Sequence, residues 1–365
     1  SIYRAYNGDI RYASLKNRAR EGSHEPEIKT VDMRRELESG NRSVLSRELF
    51  AGIRENLKNG GQTMLFINRR GHSTFVSCRN CGYVLKCPHC DVSYKYHASG
   101  DRLVCHYCGN VIDKPNECPA CGSTKIRYFG AGTQKIEESV KKYFPEAKVI
   151  RMDSDTVSGK NGYIDILKKF SNGEADILIG TQMIAKGHDF ENVSLVGVLA
   201  ADLSLNTGEY DAAERTFQLI TQVAGRAGRG KKGGKVIVQT YSPDNPAVQA
   251  AANGSWREFY EKEIEYRKAM GYPPCVECAK IEFTGKNEKC VIKGAQDTAD
   301  ELKKYGVKIL GPVPEIISKV KDEYRWSMTV KHTDAEAVRK AVSGTKAKME
   351  RELEAAGVHI NPRIL

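Results

Sequence analysis

The sequence lacks the features that would place it in several common classes of protein. No apolar run approaches the roughly 20 residues that a membrane-spanning helix needs, and the chain opens on a tyrosine-rich, basic stretch with no secretory signal. The phosphate-binding loop G-x-x-x-x-G-K-[ST] is absent, because "SGKNG", "TGKNEK" and "GGKV" have neither serine nor threonine after the lysine. The glycine pattern G-x-G-x-x-G is also missing, which argues against a Rossmann-type metabolic enzyme. We therefore expect neither a membrane span nor a nucleoside triphosphate held by this chain alone.

The composition is that of a folded, basic protein. Its 365 residues suffice for two or three domains, each large enough to bury a core. Lysine and arginine number 57 against 46 acidic residues, which gives a net charge of +11 and a pI of about 9.0. That excess predicts a polyanionic partner, with nucleic acid as the first candidate, although a solvated basic surface accounts for it equally well. The chain begins with Ser1 and not with methionine, which suggests a fragment of a longer protein.

Cysteine is concentrated in one short region. Of the eleven cysteines, eight lie between positions 78 and 121 as four C-x-x-C pairs. Each C-x-x-C turn directs two thiolates at one metal ion, and two turns complete the closed tetrahedron of a structural zinc site. Without a secretory signal, this spacing is typical of zinc binding in a reducing compartment and not of disulfides. We predict two structural zinc ions held by Cys78, Cys81, Cys87, Cys90, Cys105, Cys108, Cys118 and Cys121.

The four turns can be paired in three ways, and the chain between them favours a nested arrangement. Residues 91–104, "DVSYKYHASGDRLV", alternate in polarity before a Ser-Gly-Asp turn and a further short strand, which predicts a β-hairpin. That hairpin would place Cys87 and Cys90 beside Cys105 and Cys108. The first and last turns would then share the other ion. Pairing the first turn with the second is disfavoured, because only five residues separate them.

Other potential ligands are expected to have ordinary roles. His89 and His106 lie inside the turns and could bind a metal ion, but four cysteines already fill each tetrahedron. Cys275 and Cys278 form a fifth C-x-x-C pair that has no matching pair. On a strand, their spacing would send the two thiols to opposite faces. We expect both to be unligated cysteines.

Apolar runs alternate with amphipathic stretches over most of the chain. Strands are predicted at 63–67, 148–153, 175–180, 194–202 and 233–241, and helices at 134–144, 162–173 and 210–226. Strands and helices that alternate at this spacing predict a parallel sheet covered on both faces. The cysteine region interrupts the alternation, so it is interpreted as an insertion within one α/β domain.

A different pattern follows the Gly-Tyr-Pro-Pro sequence near residue 272. A helix predicted at 255–270 precedes it, and short strands and two amphipathic helices follow, which predicts a small α+β domain. The predicted boundaries are 1–77 and 122–272 for the α/β domain, 78–121 for the zinc-binding insertion and 273–365 for the α+β domain.

Two arginines lie at and just beyond the end of the helix predicted at 210–226, in the stretch "TQVAGRAGRG". Gln222, Arg226 and Arg229 fall largely on one side of its last turns. A planar guanidinium fits phosphate oxygens in pairs, so this arrangement predicts a phosphate ligand. The strand that ends at Asp202 could imitate a magnesium-binding strand, but the chain has no phosphate loop to act with it.

These motifs resemble the second RecA-like lobe of superfamily 2 helicases. "QVAGRAGR" is similar to motif VI, whose arginines reach the γ-phosphate bound by the first lobe. "LFINRRG" is similar to motif IV, and "ILIGTQMIAKGHDF" is similar to motif V. Such a lobe with eight cysteines between motifs IV and V resembles the PriA family of bacterial primosomal replication-restart helicases. The C-terminal "LGPVPEIISKVKDEYRWSMTVK" resembles the terminal domain of that family, so the resemblance covers nearly the whole chain.

The resemblance implies a role for each motif residue. Arg229 would be the arginine finger at the γ-phosphate of ATP, with Arg226 assisting and Gln222 positioning the phosphate or the attacking water. The remaining motif residues would contact the DNA backbone or couple that contact to the cleft: Asn68, Arg69, Arg70, Thr181, Gln182, Lys186 and Asp189. Backbone contacts carry no sequence information, which suits an enzyme that follows any strand.

The resemblance also implies an activity and a set of partners. The intact enzyme would be an ATP- and Mg²⁺-dependent helicase with 3′-to-5′ polarity that remodels stalled or abandoned replication forks. Its expected partners are forked and single-stranded DNA, single-strand-binding protein, other primosome proteins and the replicative helicase or its loader. We expect a cytoplasmic, nucleoid-associated monomer with no membrane partner. The phosphate loop and the fork-recognition domain would precede Ser1, so this chain alone is expected to lack ATPase activity. The rival hypothesis is a non-catalytic zinc-ribbon nucleic-acid-binding module on an α/β scaffold.

Overall fold

A computed structural model describes residues 1–14, 26–67, 75–97, 101–128, 133–153, 156, 159–181, 183–184, 190–227 and 233–365, without the side chains of 159–161. The chain forms two compact units. The lobe unit comprises Tyr12–Val84 and Pro115–Tyr260, and the C-terminal unit comprises Ser1–Arg11, Leu85–Lys114 and Glu261–Leu365. The predicted zinc-binding insertion, 78–121, therefore contributes residues to both units.

Helices and strands are numbered separately in chain order. The helices are α1 (Ile2–Tyr6), α2 (Met33–Glu38), α3 (Arg47–Lys58), α4 (Thr133–Tyr143), α5 (Gly159–Ser171), α6 (Asp202–Leu205), α7 (Ala212–Ala224), α8 (Pro246–Ala252), α9 (Trp256–Met270), α10 (Glu288–Lys303) and α11 (Ala335–Ala355). The strands are β1 (Glu27–Asp32), β2 (Gln62–Ile67), β3 (Val76–Cys78), β4 (Lys95–His97), β5 (Arg102–Val104), β6 (Val111–Asp113), β7 (Ile126–Tyr128), β8 (Val149–Met152), β9 (Ile177–Gly180), β10 (Val193–Leu199), β11 (Lys235–Thr240), β12 (Glu277–Gly285), β13 (Lys308–Val320), β14 (Glu323–His332) and β15 (Val358–Ile364).

The lobe unit is built on a six-stranded sheet with the order β1-β11-β10-β2-β9-β8. All neighbouring strands are parallel, which confirms the predicted α/β class. Every residue of β2 and β9 is buried, as expected for central strands that are covered on both faces. β1 was not predicted, because its sequence "EIKTVD" lacks a continuous apolar run.

Successive residues of each strand feed two separate cores. On one face, Met64 and Phe66 of β2 pack with apolar residues of α5, α7 and α8. On the other face, Leu65 and Ile67 pack with apolar residues of α3 and α4. The period of two along the strands thus matches helices on both sides. Ile136 of α4 is fully buried there.

The C-terminal unit contains a four-stranded antiparallel sheet with the order β13-β14-β12-β15. Its core is formed by alternate residues of β12 and β14 together with the apolar faces of α10 and α11. Asn287 and Asp334 begin these two helices, and each side chain accepts a hydrogen bond from a backbone N–H of the first turn. This architecture confirms the predicted α+β domain. Among the residues that the structure describes, no helix is both long and apolar enough to cross a bilayer.

Candidate metal centres and motif residues

The eight cysteines of the insertion form two groups of four. One group contains Cys78, Cys81, Cys118 and Cys121, and the other contains Cys87, Cys90, Cys105 and Cys108. Within each group the sulfur atoms all lie within 4.8 Å of one another. These are the nested pairs expected from the sequence, and we call them the outer and the inner cluster. β4 and β5 form the antiparallel hairpin that joins the two turns of the inner cluster.

Each of the four C-x-x-C turns is closed in the same way. The residue after the second cysteine donates its N–H to the carbonyl oxygen of the first cysteine at 2.8–2.9 Å. That residue lies in the left-handed region of φ, which favours glycine. Three turns have glycine at this position, and the fourth has an aspartate at φ 50°. The four residues are Gly82, Asp91, Gly109 and Gly122. Other backbone N–H groups of the turns donate to the cysteine sulfurs and favour the thiolate form.

The two clusters differ in burial. Cys87, Cys90 and Cys105 of the inner cluster are buried, whereas Cys121 of the outer cluster is exposed. A backbone hydrogen bond from Ser123 lowers the pKa of the Cys121 thiol to about 7. In the inner cluster, a hydrogen bond from Cys90 lowers the pKa of Cys105 to about 5. Four convergent thiols with N–H support are the donor set that a structural zinc ion requires, so both clusters fit zinc.

The histidines near the clusters are not among the clustered ligands. His106 directs Nδ1 at the carbonyl oxygen of Pro314 at 2.7 Å and Nε2 at His97 Nε2 at 3.0 Å. His89 is exposed. Within the described part of the chain, Cys275 and Cys278 join neither metal-ligand group. The expectation that cysteines alone would form the two sites is consistent with this geometry.

The outer cluster is fixed to the sheet of the lobe unit. Arg34 forms an ion pair with Asp32 at 2.8 Å and donates to the carbonyl oxygen of Cys81 at 3.4 Å. The Arg79 guanidinium lies 5.1 Å from the centroid of the Tyr241 ring. A Cβ at Gly82 would overlap the Tyr241 carbonyl oxygen, so only glycine fits there. Sequence reasoning missed these contacts, since they join residues that are far apart in the chain.

The motif residues are only partly described. Gln222 is exposed near the end of α7, and Arg226 is half-buried in the turn that follows. Thr181 is half-buried and comes directly after β9. The other predicted motif residues lie outside the described residues: Asn68, Arg69, Arg70, Gln182, Lys186, Asp189 and Arg229.

The strand directions assign the described motif residues to two edges of the sheet. β2 and β9 are parallel neighbours, so Thr181 and the end of β2 lie at the carboxyl edge. α7 follows the carboxyl end of β10 and precedes the amino end of β11, which is parallel to β10. A helix in such a crossover runs antiparallel to the strands, so Gln222 and Arg226 lie toward the amino edge.

Asp202 is buried and hydrogen-bonded within the lobe unit. Its side chain is buried, with 2% of the residue exposed. One carboxylate oxygen accepts from the Tyr241 N–H at 2.9 Å and the other from the Thr240 hydroxyl at 3.1 Å. These bonds connect the start of α6 to the end of β11. Asp202 therefore links neighbouring elements of the lobe unit and is not available as an open magnesium ligand.

Removal of this acceptor is expected to destabilise the lobe unit. Asp202→Ala would leave the Tyr241 N–H and the Thr240 hydroxyl buried without a partner, which should lower the free energy of unfolding by about 1–3 kcal/mol. Asp202→Asn is the matched control, because it keeps the shape and one acceptor oxygen. Urea denaturation of both variants measures the difference, and equal stability of the alanine and asparagine variants would contradict the assignment.

The same carboxyl group is expected to make stability depend on pH. Burial raises the pKa of Asp202, although hydrogen bonds from Tyr241 and Thr240 act in the opposite direction. A raised folded-state pKa stabilises the fold below the unfolded pKa, and that contribution is lost as pH rises through the folded value. Asparagine does not titrate. The stability of Asp202→Asn relative to the unaltered chain should therefore increase from about pH 4 toward neutrality, and a constant difference across that range would exclude the effect.

Three family models match the chain along its length. They are the helicase conserved C-terminal domain at 122–231, the PriA DNA helicase Cys-rich region (CRR) domain at 87–112, and the primosomal protein N C-terminal domain at 268–363.

Curated relatives match over most or all of the chain. The replication restart protein PriA of Bacillus subtilis is 43% identical over 100% of this chain and 46% of its own length. The PriA protein of Synechocystis is 46% identical over 84% of this chain and 38% of its own length. The PriA protein of Borreliella burgdorferi is 34% identical over 94% of this chain and 51% of its own length. The chain spans about half the length of the curated relatives it matches. On the three domain matches and this identity, the chain belongs to the PriA family of replication restart proteins.

Proposed function

We propose that this chain supplies the second motor lobe, the zinc-binding region and the C-terminal DNA-binding domain of an ATP-dependent 3′-to-5′ DNA helicase. The intact helicase would remodel stalled or abandoned forks and promote primosome assembly and loading of the replicative helicase. The observation that carries the proposal is the combination of a helicase C-terminal domain with two four-cysteine clusters inserted before its motifs V and VI. This combination gives the lobe a metal-stabilised attachment that a motor lobe alone does not need.

ATP hydrolysis would depend on residues at the amino edge of the lobe sheet. ATP and Mg²⁺ would be held mainly by a first lobe in the longer protein, because this chain has no phosphate loop. Arg229 would stabilise the charge that develops on the γ-phosphoryl group as it leaves. Arg226 would assist at the same phosphate, and Gln222, which is exposed near the end of α7, would orient the phosphate or the water.

The DNA strand would be bound at the opposite, carboxyl edge of the lobe sheet. Thr181 comes directly after β9 at the carboxyl edge, and motif IV includes the last residues of the neighbouring β2. Gln182, Asn68, Arg69 and Arg70 would join Thr181 in contacting the strand backbone, while Lys186 and Asp189 would couple those contacts to the cleft. The net charge of +11 favours binding of a polyanion. Because ATP and DNA would be contacted at opposite edges of the sheet, movement of the lobe during ATP hydrolysis would displace the bound DNA strand.

The zinc ions would have a structural role and would take no part in hydrolysis. When bound, each ion supplies a rigid cross-link between turns that are distant in sequence. The outer cluster would hold its turns against the lobe sheet through Arg34 and Gly82. Single-strand-binding protein, other primosome proteins and the replicative helicase or its loader would be the protein partners of a cytoplasmic monomer.

Strand displacement by the full-length protein tests the proposal. A forked duplex with a labelled strand should be unwound in the presence of ATP and Mg²⁺, and substitution of a non-hydrolysable analogue should prevent unwinding. A substrate that permits only 3′-to-5′ translocation should be unwound faster than one that permits only the opposite polarity. Tight DNA binding without ATP-dependent displacement would instead support the non-catalytic zinc-ribbon module.

A further inference from the structure

The two clusters differ in how far their sulfur ligands are open to solvent. Among the eight clustered cysteines, all of which the structure describes, Cys121 of the outer cluster is the exposed one. In the inner cluster, Cys87, Cys90 and Cys105 are between 0% and 4% exposed, and Cys108 is half-buried. A small solute therefore reaches a sulfur ligand of the outer cluster more readily than one of the inner cluster.

The surroundings of the two clusters account for this difference. Two buried aromatic rings lie against the inner turns: the Tyr272 hydroxyl donates to the carbonyl oxygen of Cys90 at 2.6 Å, and the Tyr107 ring centroid lies 6.0 Å from that of Tyr272. In the outer cluster, the side-chain amide nitrogen of Asn80 lies 3.8 Å from the Cys121 sulfur, and Asn80 is itself exposed. An exposed amide leaves the Cys121 sulfur open to solutes.

The outer sulfur atoms form two close pairs, and each pair joins the first C-x-x-C turn to the last. Cys121 Sγ lies 3.7 Å from Cys78 Sγ, and Cys81 Sγ lies 3.6 Å from Cys118 Sγ. The S–S length of a disulfide is about 2.05 Å, so each pair would need to close by about 1.6 Å. A partner for an oxidised Cys121 is therefore already in place on the opposite turn.

Disulfides between these two turns would cross-link the same elements as the metal ion. β3 contains Cys78 and pairs with β7, which follows the last turn, so that Cys78 lies opposite Ile126. Two disulfides from the first turn to the last would hold β3 against β7 after the ion had left. Oxidation would thus exchange one cross-link for another, whereas substitution of a ligand leaves the turns with none.

We propose that the outer cluster is a site of reversible oxidation by hydrogen peroxide, with Cys121 attacked first and Cys78 as its resolving partner. The Cys121 sulfur would attack one peroxide oxygen, so that an S–O bond forms, the O–O bond breaks and hydroxide leaves. The Cys78 sulfur would then attack the Cys121 sulfur, so that an S–S bond forms, the S–O bond breaks and a second hydroxide leaves. Two thiolates lose two electrons in total, and one peroxide becomes two waters with two protons from solvent.

A second peroxide would oxidise Cys81 and Cys118 in the same way, and the zinc ion, without thiolate ligands, would leave. Redox-sensing cysteines are solvent-accessible thiolates beside a resolving cysteine. The outer cluster meets both conditions. The inner cluster has a close sulfur pair, Cys87 and Cys108 at 3.6 Å, but no exposed cysteine. The proposal depends on zinc occupancy of the outer cluster and not on ATP hydrolysis, so the unwinding experiment and the following one fail independently.

Treatment of the zinc-loaded full-length protein with hydrogen peroxide tests the proposal. One of the two zinc ions should pass to a chromogenic chelator, and a thiol reductant with added zinc should restore it. Mass spectrometry of peptides should find disulfides Cys78–Cys121 and Cys81–Cys118, each with the loss of two hydrogens. Cys118→Ser, which keeps only the inner ion, should release it slowly. Cys105→Ser, which keeps only the outer ion, should release it as fast as the unaltered protein releases its first ion.

Hydrogen exchange separates oxidation from simple loss of metal. β3 and β7 should stay protected in the oxidised protein, because disulfides hold the two turns, but should exchange faster in Cys118→Ser. Cys290 is the internal reference, because it is half-buried and belongs to neither cluster, and it should remain a thiol. Release of the inner ion first or at the same rate would overturn the proposal. Disulfides within a single turn, or oxidation that a thiol does not reverse, would also overturn it.

Discussion

Arg229→Ala in the full-length protein is expected to lower DNA-stimulated ATP hydrolysis by about 10³–10⁵-fold, the range associated with loss of an arginine finger. The reason is electrostatic, because the guanidinium would stabilise charge that appears on the γ-phosphoryl group only during transfer. DNA affinity should change little, since backbone contacts would be made at the other edge of the sheet. Steady-state phosphate release and fluorescence anisotropy with labelled single-stranded DNA measure the two quantities on one preparation.

Arg42→Ala is the matched control for this experiment. Arg42 is exposed and lies outside the motifs, so its replacement removes the same charge without affecting the proposed nucleotide contacts. Turnover should stay near that of the unaltered protein. Survival of turnover in Arg229→Ala, or an equal fall in both variants, would favour the non-catalytic zinc-ribbon hypothesis. A parallel loss of DNA affinity would assign Arg229 to the strand and not to ATP.

Loss of one cysteine ligand is expected to have the second-largest effect. Cys105→Ser should reduce zinc from two ions per chain to one and unfold the inner cluster. Cys118→Ser should likewise remove one ion and unfold the outer cluster. A structural zinc ion contributes about 10–16 kcal/mol of binding free energy in small zinc peptides. That is comparable to the whole stability of a typical domain, about 5–15 kcal/mol. Loss of one zinc ion is therefore expected to unfold the region around that cluster, and not merely to lower its stability slightly.

Metal analysis and hydrogen exchange can separate the two clusters. Cys105→Ser should accelerate exchange within Leu85–Lys114, whereas Cys118→Ser should accelerate it near β3 and β7. Cys290→Ser is the control, because Cys290 is half-buried on α10 and belongs to neither cluster. Retention of two zinc ions in either ligand variant, or iron in place of zinc, would refute the nested scheme.

Local pattern was sufficient to predict the main architecture. The apolar runs of β2, β9, β10 and β11 are continuous, since these strands are buried on both faces, and they mark a parallel sheet without ambiguity. The nested pairing of the cysteines was also predictable from local pattern, because the hairpin between the inner turns is encoded in adjacent residues. Edge strands carry weaker signals. β13 contains Pro312 and Pro314 and leaves much of its surface exposed, so its sequence does not resemble a strand.

Long-range contacts could not be predicted. The Tyr272 hydroxyl meets the Cys90 carbonyl oxygen across 182 residues of sequence, and Arg34 reaches Cys81 across 47. No spacing rule relates such residues, because their proximity follows from the assembled fold. The division of the cysteine region between two compact units depends on these contacts. The roles of Arg229 and of the motif IV and V residues come from resemblance, and they stay predictions.

The nested order of the ligands also sets the sequence of events during synthesis. Cys108, the last inner ligand, leaves the ribosome before Cys118 and Cys121, so a nascent chain can close the inner tetrahedron around metal first. Arg34 has already emerged by then, whereas Tyr272, whose hydroxyl donates to the Cys90 carbonyl oxygen, has not been translated. The inner centre can therefore take up its ion before the residue that binds its Cys90 turn has been synthesised.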